Sequence, residues 1–213
     1  MKIEVHRARL PDFPWIRRLA VRSAIYGIPH GRDIKNSQVQ AVAQEHLKDL
    51  ELTAGTGRNF LVLLALDSDT DERLGYIMLD FDHVESSTGE RQSLIYDLAV
   101  EPRHWGKQVV HRLVEAAARE TAGRGLKYMV GEVTAGNRRT LVQALRLGFQ
   151  VERYQIVMCC SPEGPVSMPG RTEEEKAHDV SRDRRRAARL RQLRRIRRKQ
   201  ELKAIAERDP PEK

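Results

Sequence analysis

The feature that most constrains this chain is a strand that ends at a proline and passes, after a short loop, into an amphipathic helix. Residues 94–100 are rich in strand-forming side chains and stop at Pro102. Between Gly106 and Ala122, the residues Val109, Val110, Leu113, Val114 and Ala117 recur at helical core spacing, and Gly123 and Gly125 close the segment. Residues 127–134 predict another strand. A helix from about Asn137 ends with Gly148 in the C′ position. Residues 149–160 predict a last strand or bent strand pair. Strand–helix–strand connections of this length require a crossover, which places their strands parallel. The first-turn amides of the helix that follows residue 106 lack internal partners and carry the positive end of the helix dipole, a geometry that accepts phosphate.

The first half supplies the rest of one domain. Residues 2–7 alternate apolar and polar and predict a short strand. Pro11 and Asp12 open a helix with Ile16, Leu19 and Ala20 on one face. Tyr26, Gly27, Pro29, His30, Gly31 and Arg32 break it. A second helix is expected from Ser37, whose spacing to Gln40 is that of a capping box, with Val39, Val42, Ala43, Leu47 and Leu50 as its stripe and Gly55 and Gly57 as its end. Residues 60–66 form an unbroken apolar run, as in a strand covered on both faces. Residues 74–81 follow as its hairpin partner. The expected fold class is α/β: a mixed, twisted central sheet with helices on both faces. The expected organisation is a domain over 1–160, a Pro/Gly-containing linker over 161–171 and a basic helical tail over 172–213.

Charge is distributed unevenly between these parts. Of 38 Lys/Arg and 30 Asp/Glu, twelve basic and two acidic residues lie between Arg182 and Lys203, leaving 26 basic against 28 acidic elsewhere. A polyanion partner is therefore to be sought at the tail. Its arginines suit RNA, a ribosome or another acidic surface, although no aromatic residue interleaves them for base stacking. Its apolar residues, Leu190, Leu193, Ile196, Leu202 and Ile205, make a thin stripe that leaves a solvated helix equally open. The two cysteines, Cys159 and Cys160, are adjacent, match no metal-ligand spacing, and point to an intracellular, reduced, cytoplasmic protein. No apolar run is long enough to span a bilayer, and a strand directly after Met1 predicts no secretory leader.

Four short segments carry a resemblance. Leu98-Ala99-Val100-Glu101-Pro102, then Gly106-Lys107, then Glu132-Val133-Thr134-Ala135-Gly136-Asn137, and finally Gly148-Phe149 occur in order. Together they resemble the GNAT superfamily of acyl-CoA N-acyltransferases, in which a V-x-P strand end runs into an R-G-x-G-x-G loop. The E-V-x-x-x-N segment is similar to that of the ribosomal-protein alanine acetyltransferases. The resemblance covers residues 1–160 by element order and 94–150 by motif. It implies transfer of an acetyl group from acetyl-CoA to a primary amine. Leu98, Ala99 and Val100 match the strand edge that pairs with the pantetheine arm. Gly106, Lys107, Gln108, Val109, Val110 and His111 match the loop and helical turn that hold the pyrophosphate. Asn137 matches a residue near the thioester, and Glu132 matches the carboxylate that takes the proton from the amine.

Two positions depart from that pattern. Gln108 and Val110 stand where the family has glycines; a positive φ at a non-glycine residue costs about 1–2 kcal/mol. Ala144 stands where the family often has a tyrosine that protonates the leaving thiolate; Tyr96, Tyr154 and water remain as substitutes. Asp97, on the same strand, is an alternative base or a structural hydrogen-bonding group. Asn137 also suits a helix N-cap. His104 and His111 are expected to be exposed, and Trp105 to pack at the core edge or reach the adenine. Tyr26, His30 and Arg32 are candidates for the acceptor side. The alternative function is a catalytically impaired protein of this fold that works through its tail.

Overall fold

The computed structural model describes residues 1–29, 32, 34–48, 59–162 and 164–166. The chain divides into two compact units, Met1–Tyr154 and Gln155–Lys213. The first holds a five-stranded sheet ordered β1 (Ile3–Arg7), β2 (Phe60–Asp67), β3 (Glu72–Asp80), β4 (Ser93–Val100) and β5 (Met129–Gly131). Its helices are α1 (Phe13–Ser23), α2 (Asn36–His46), α3 (Val109–Gly123) and α4 (Arg138–Arg146). Neighbouring strands from β1 to β4 are antiparallel, and β4 and β5 are parallel, as the crossover through α3 demands. This is the mixed α/β sheet expected from the sequence.

The apolar run of β2 is explained by its two neighbours. Strand side chains alternate between faces. Leu61, Leu63 and Ala65 join Leu74, Ile77, Leu79 and the α3 residues Val109, Leu113, Val114 and Ala117 in one core. Val62 and Leu64 join Tyr76, Met78 and the α1 residues Phe13, Ile16, Leu19 and Ala20 in the other. Each face thus carries a helical layer. Leu113 is fully buried, which contributes about 1.5–3 kcal/mol relative to exposure.

Several boundaries differ from expectation. The second helix starts at Asn36, not Ser37. The Lys35 amide donates to the Gln38 side chain at 3.0 Å, so the cap lies two residues earlier than the Ser37/Gln40 spacing suggested. Within its stripe Leu47 is buried and Val42 exposed; Leu50, Gly55 and Gly57 lie outside the described residues. The third helix begins at Val109, because Gly106 (φ 82°) and Gln108 (φ 64°) are left-handed and cannot belong to it. Strand β5 is three residues long and ends before Glu132. Gly148, with φ 96°, closes α4 in a Schellman arrangement: Phe149 N–H reaches the Ala144 carbonyl at 3.1 Å and Gly148 N–H the Leu145 carbonyl at 3.3 Å.

Residues 149–158 hold no long strand. Strand propensity forms a strand only where a partner edge pairs with it, and no register is formed here. In the second unit a small hairpin joins β6 (Cys159–Ser161) to β7 (Gly164–Val166), running from the end of the expected last strand into the stretch expected to be the linker. The basic tail lies outside the described residues.

Candidate active site

Strands β4 and β5 pair over three positions only, Ser93 with Met129, Leu94 with Val130 and Ile95 with Gly131. Strand β4 then continues to Val100 along β3, while β5 has already ended. The two strands therefore part, and the β4 edge from Tyr96 onward faces an opening. A bulge marks the parting point: Leu79 pairs with Ile95 and Met78 with Asp97, so Tyr96 is the extra residue. Close packing holds the far end of β4 in place. A Cβ on Gly75 would lie 2.8 Å from both the Ala99 carbonyl oxygen and Val100 Cγ2.

Beyond Val100 the chain makes a short 3-10 turn and reaches α3. The first intrahelical bond runs from Arg112 N–H to the Gln108 carbonyl at 3.1 Å, so the amides of Gln108, Val109, Val110 and His111 precede the ladder. Gly106, Lys107 and Gln108 are exposed, and the left-handed φ of Gln108 reproduces what a glycine would adopt there. The Lys107 amide is already bound to the His104 carbonyl at 3.2 Å. Val109 is buried in the core, with Val110 half-buried beside it. The turn is fastened to its surroundings. His104, expected to be exposed, is buried with Nε2 3.1 Å from Glu72, which Arg103 also pairs. Its burial follows from the 3-10 turn, which folds the ring back onto β3. His111 is exposed and pairs with Glu115 at 3.2 Å.

Along the β4 edge, the Leu98 amide donates to Asp97 Oδ1 at 2.8 Å. Asp97 Oδ2 accepts the Tyr76 hydroxyl at 2.5 Å. Burial holds the Asp97 carboxyl above its usual range, against the pull of those two donors. The Tyr76 hydroxyl is pushed well above its usual range, first by burial and then by the neighbouring carboxylate. Ala99 and Val100 are buried, and the Val100 carbonyl accepts the Trp105 indole N–H at 2.8 Å. Tyr96 is half-exposed and packs edge-on against Phe60 at 5.7 Å; Tyr154 is 87% exposed.

The other wall is the segment after β5. Glu132 is exposed immediately beyond the last paired residue. Asn137 caps α4, its Oδ1 accepting Thr140 N–H at 3.2 Å, and its Nδ2 donates to the Tyr26 carbonyl at 3.3 Å. Trp105, exposed at this edge, has two partners: the Tyr26 ring meets it edge-on at 5.9 Å and the Arg139 guanidinium lies 4.1 Å from its centroid. Contacts in the structure thus join Val100, Trp105, Tyr26, Asn137 and Arg139. Arg32 is exposed, and His30 lies outside the described residues. Sequence reasoning missed the Tyr76–Asp97 pair and the Tyr26–Trp105–Arg139 stack, because both join residues far apart in the chain.

The model of the acetyltransferase (GNAT) family matches residues 31–149. The chain belongs to that family. No curated protein matches this GNAT acetyltransferase in sequence. Solved structures share its fold. The ribosomal-protein-alanine N-acetyltransferase of Brucella melitensis biovar Abortus 2308 is 16% identical, with TM-score 0.53 over 74% of this chain and 98% of its own. The aminoglycoside 6'-N-acetyltransferase AAC(6')-Ih of Acinetobacter baumannii is 14% identical, with TM-score 0.54 over 75% and 99%. AAC(6')-Iy, solved with a CoA-containing bisubstrate analogue, is 16% identical, with TM-score 0.52 over 74% and 97%. Among the described residues no helix is long and apolar enough to cross a membrane.

Proposed function

We propose that this GNAT protein transfers an acetyl group from acetyl-CoA to a primary amine, with the coenzyme lying in the opening between β4 and β5. The observation that carries this reading is the parting of the strands at Tyr96 beside the free amides that open α3. An unpaired strand edge can pair with an amide-bearing arm, and a helix N-terminus can hold a diphosphate. Under this reading Gly106, Gln108, Val109, Val110 and His111 surround the diphosphate and the exposed Lys107 adds charge. Ala99 and Val100 border the pantetheine arm, Leu98 joins them once its amide leaves Asp97, and Asn137 contacts the arm once it leaves Tyr26.

The reaction places a neutral amine nitrogen on the thioester carbonyl carbon. The C–N bond forms, the C–S bond breaks, and the thiolate of coenzyme A leaves. Glu132 accepts the ammonium proton, its exposed position allowing the proton to pass on to solvent. Ala144 offers no acid, and Tyr96 leans onto Phe60, so water protonates the thiolate. The exposed, unpaired Cys159 and Cys160 fit a reducing cytoplasm. The neighbours' names include ribosomal-protein alanine and aminoglycoside acetylation; the acceptor here belongs to the same broad class of amines.

The test is calorimetric titration with acetyl-CoA together with thiol release over a panel of amines. A saturable heat and release with at least one amine class support the reading; neither heat nor release with any acceptor overturns it. A second reading, an impaired enzyme acting through its Arg-rich tail on RNA or a ribosome, rests on the prior engagement of the Leu98 and Lys107 amides. It predicts salt-sensitive association that survives Glu132→Ala and is lost when the tail is removed.

A further inference from the structure

Trp105 and Arg139 stand on opposite walls of the opening. Trp105 belongs to the turn after β4, and Arg139 to the first turn of α4, after β5. Their stacking at 4.1 Å therefore bridges the gap that the parting of β4 and β5 creates. Two more contacts fasten the bridge. The indole N–H is held by the Val100 carbonyl at 2.8 Å, and the Tyr26 ring closes on the indole from the α1 side. Asn137, two residues before Arg139, holds the Tyr26 carbonyl at 3.3 Å. Four residues from three separate segments thus join the walls to one another and to the segment after α1.

We infer that the Trp105–Arg139 contact is a latch across the coenzyme path, and that displacing it releases the Tyr26 segment on the acceptor side. This rests on the reading that coenzyme A lies in the opening. An arm threaded between the walls meets the latch before it meets the Leu98 edge. Once Asn137 turns to the arm, the Tyr26 carbonyl loses its donor, and Tyr26 loses its ring partner as Trp105 moves. Coenzyme binding and the Tyr26 segment are then linked through one aromatic side chain. A latch closed in the free protein lowers apparent affinity by the fraction of molecules that are open.

The chain has two tryptophans, so Trp15→Phe leaves Trp105 as the sole indole reporter. That protein is titrated with coenzyme A, read by tryptophan emission and by calorimetry, and amide exchange of residues 24–28 is measured with and without ligand. The expected result is a saturable emission change with the calorimetric midpoint, and faster exchange at 24–28 in the complex. Arg139→Ala, an exposed change to a better helix former that leaves the Asn137–Thr140 cap bond in place, is expected to tighten coenzyme A binding about two- to fivefold, the worth of one exposed cation–π contact, and to shrink the emission change. Weaker binding by Arg139→Ala would make Arg139 a ligand contact and overturn the latch. So would coenzyme binding that leaves both emission and exchange unchanged. Absence of heat with either protein removes the coenzyme reading itself, and the latch with it.

Discussion

Asp97 Oδ2 accepts the hydroxyl of Tyr76 at 2.5 Å, while Oδ1 accepts the amide of Leu98. One carboxylate thereby ties the interior of β3 to the edge of β4 that lines the opening. Tyr76 is fully buried, so its hydroxyl has no solvent to turn to. Tyr76→Phe is expected to cost about 1.5–3 kcal/mol, the worth of a hydrogen bond to a charged group. It should also move Asp97 further upward. Chemical denaturation of the variant measures the first, and carboxyl titration by NMR the second.

The same pair sets a pH dependence. Asp97 has a folded pKa raised above the ordinary 3.8. Its contribution is complete below that value and is lost as pH rises through the raised one, because ionising the buried carboxyl costs the folded state. Asp97→Asn removes this term. The melting temperature of Asp97→Asn minus that of the parent should therefore become more positive from pH 4 to pH 7. A flat difference would contradict the sign.

Gln108 holds a φ of 64° at a position where glycine carries no penalty. Gln108→Gly relieves about 1–2 kcal/mol of left-handed strain and gives back about 0.5–1 kcal/mol in chain entropy. A net gain of about 0–1.5 kcal/mol follows, with acetyl-CoA binding unchanged or tighter. Gly106→Ala, at φ 82°, should do the reverse. Denaturant melts of both, with calorimetry on the first, check the pair.

If Glu132 takes the proton, Glu132→Gln lowers kcat by about 10²–10⁴-fold. Its exposed position predicts unchanged stability and an unchanged affinity for acetyl-CoA. Steady-state kinetics across pH, with a melt as control, separates this from a structural effect. Loss of activity in Asp97→Asn with full activity in Glu132→Gln would move the role of base to Asp97.

Gly75→Ala should disturb the opening from behind. The added methyl would meet the Ala99 carbonyl oxygen and Val100 Cγ2 at 2.8 Å, and backbone cannot yield as a flexible side chain does. Overpacking of this kind costs about 1–3 kcal/mol. A melt should show that loss, and calorimetry a weaker acetyl-CoA interaction.

The order of elements was legible in the sequence because their periodicities are local. The α3 stripe of Val109, Leu113, Val114 and Ala117 and the C′ glycine at 148 are read within one or two helical turns. The parallel placement of β5 beside β4 followed from the crossover alone. What escaped depends on contacts between distant segments. The shortness of β5 follows from where its partner bulges. His104 is buried because the turn carries it to Glu72, over thirty residues away. The Leu98 edge was expected to pair with the pantetheine arm, and its amide is occupied by a side chain one residue back. Residues 149–158 carried strand composition without a partner edge, which composition cannot reveal.

The bulge at Tyr96 has a geometric result that goes beyond parting two strands. Ser93 and Ile95 point toward the α3 layer, and simple alternation would send position 97 the same way, burying an acid among Leu79, Leu113 and Val109. The inserted residue shifts the phase by one, so Leu98 and Val100 inherit that side and the acid emerges opposite, next to Tyr76. Excising Tyr96 would reverse every inward and outward assignment from there to the strand's end.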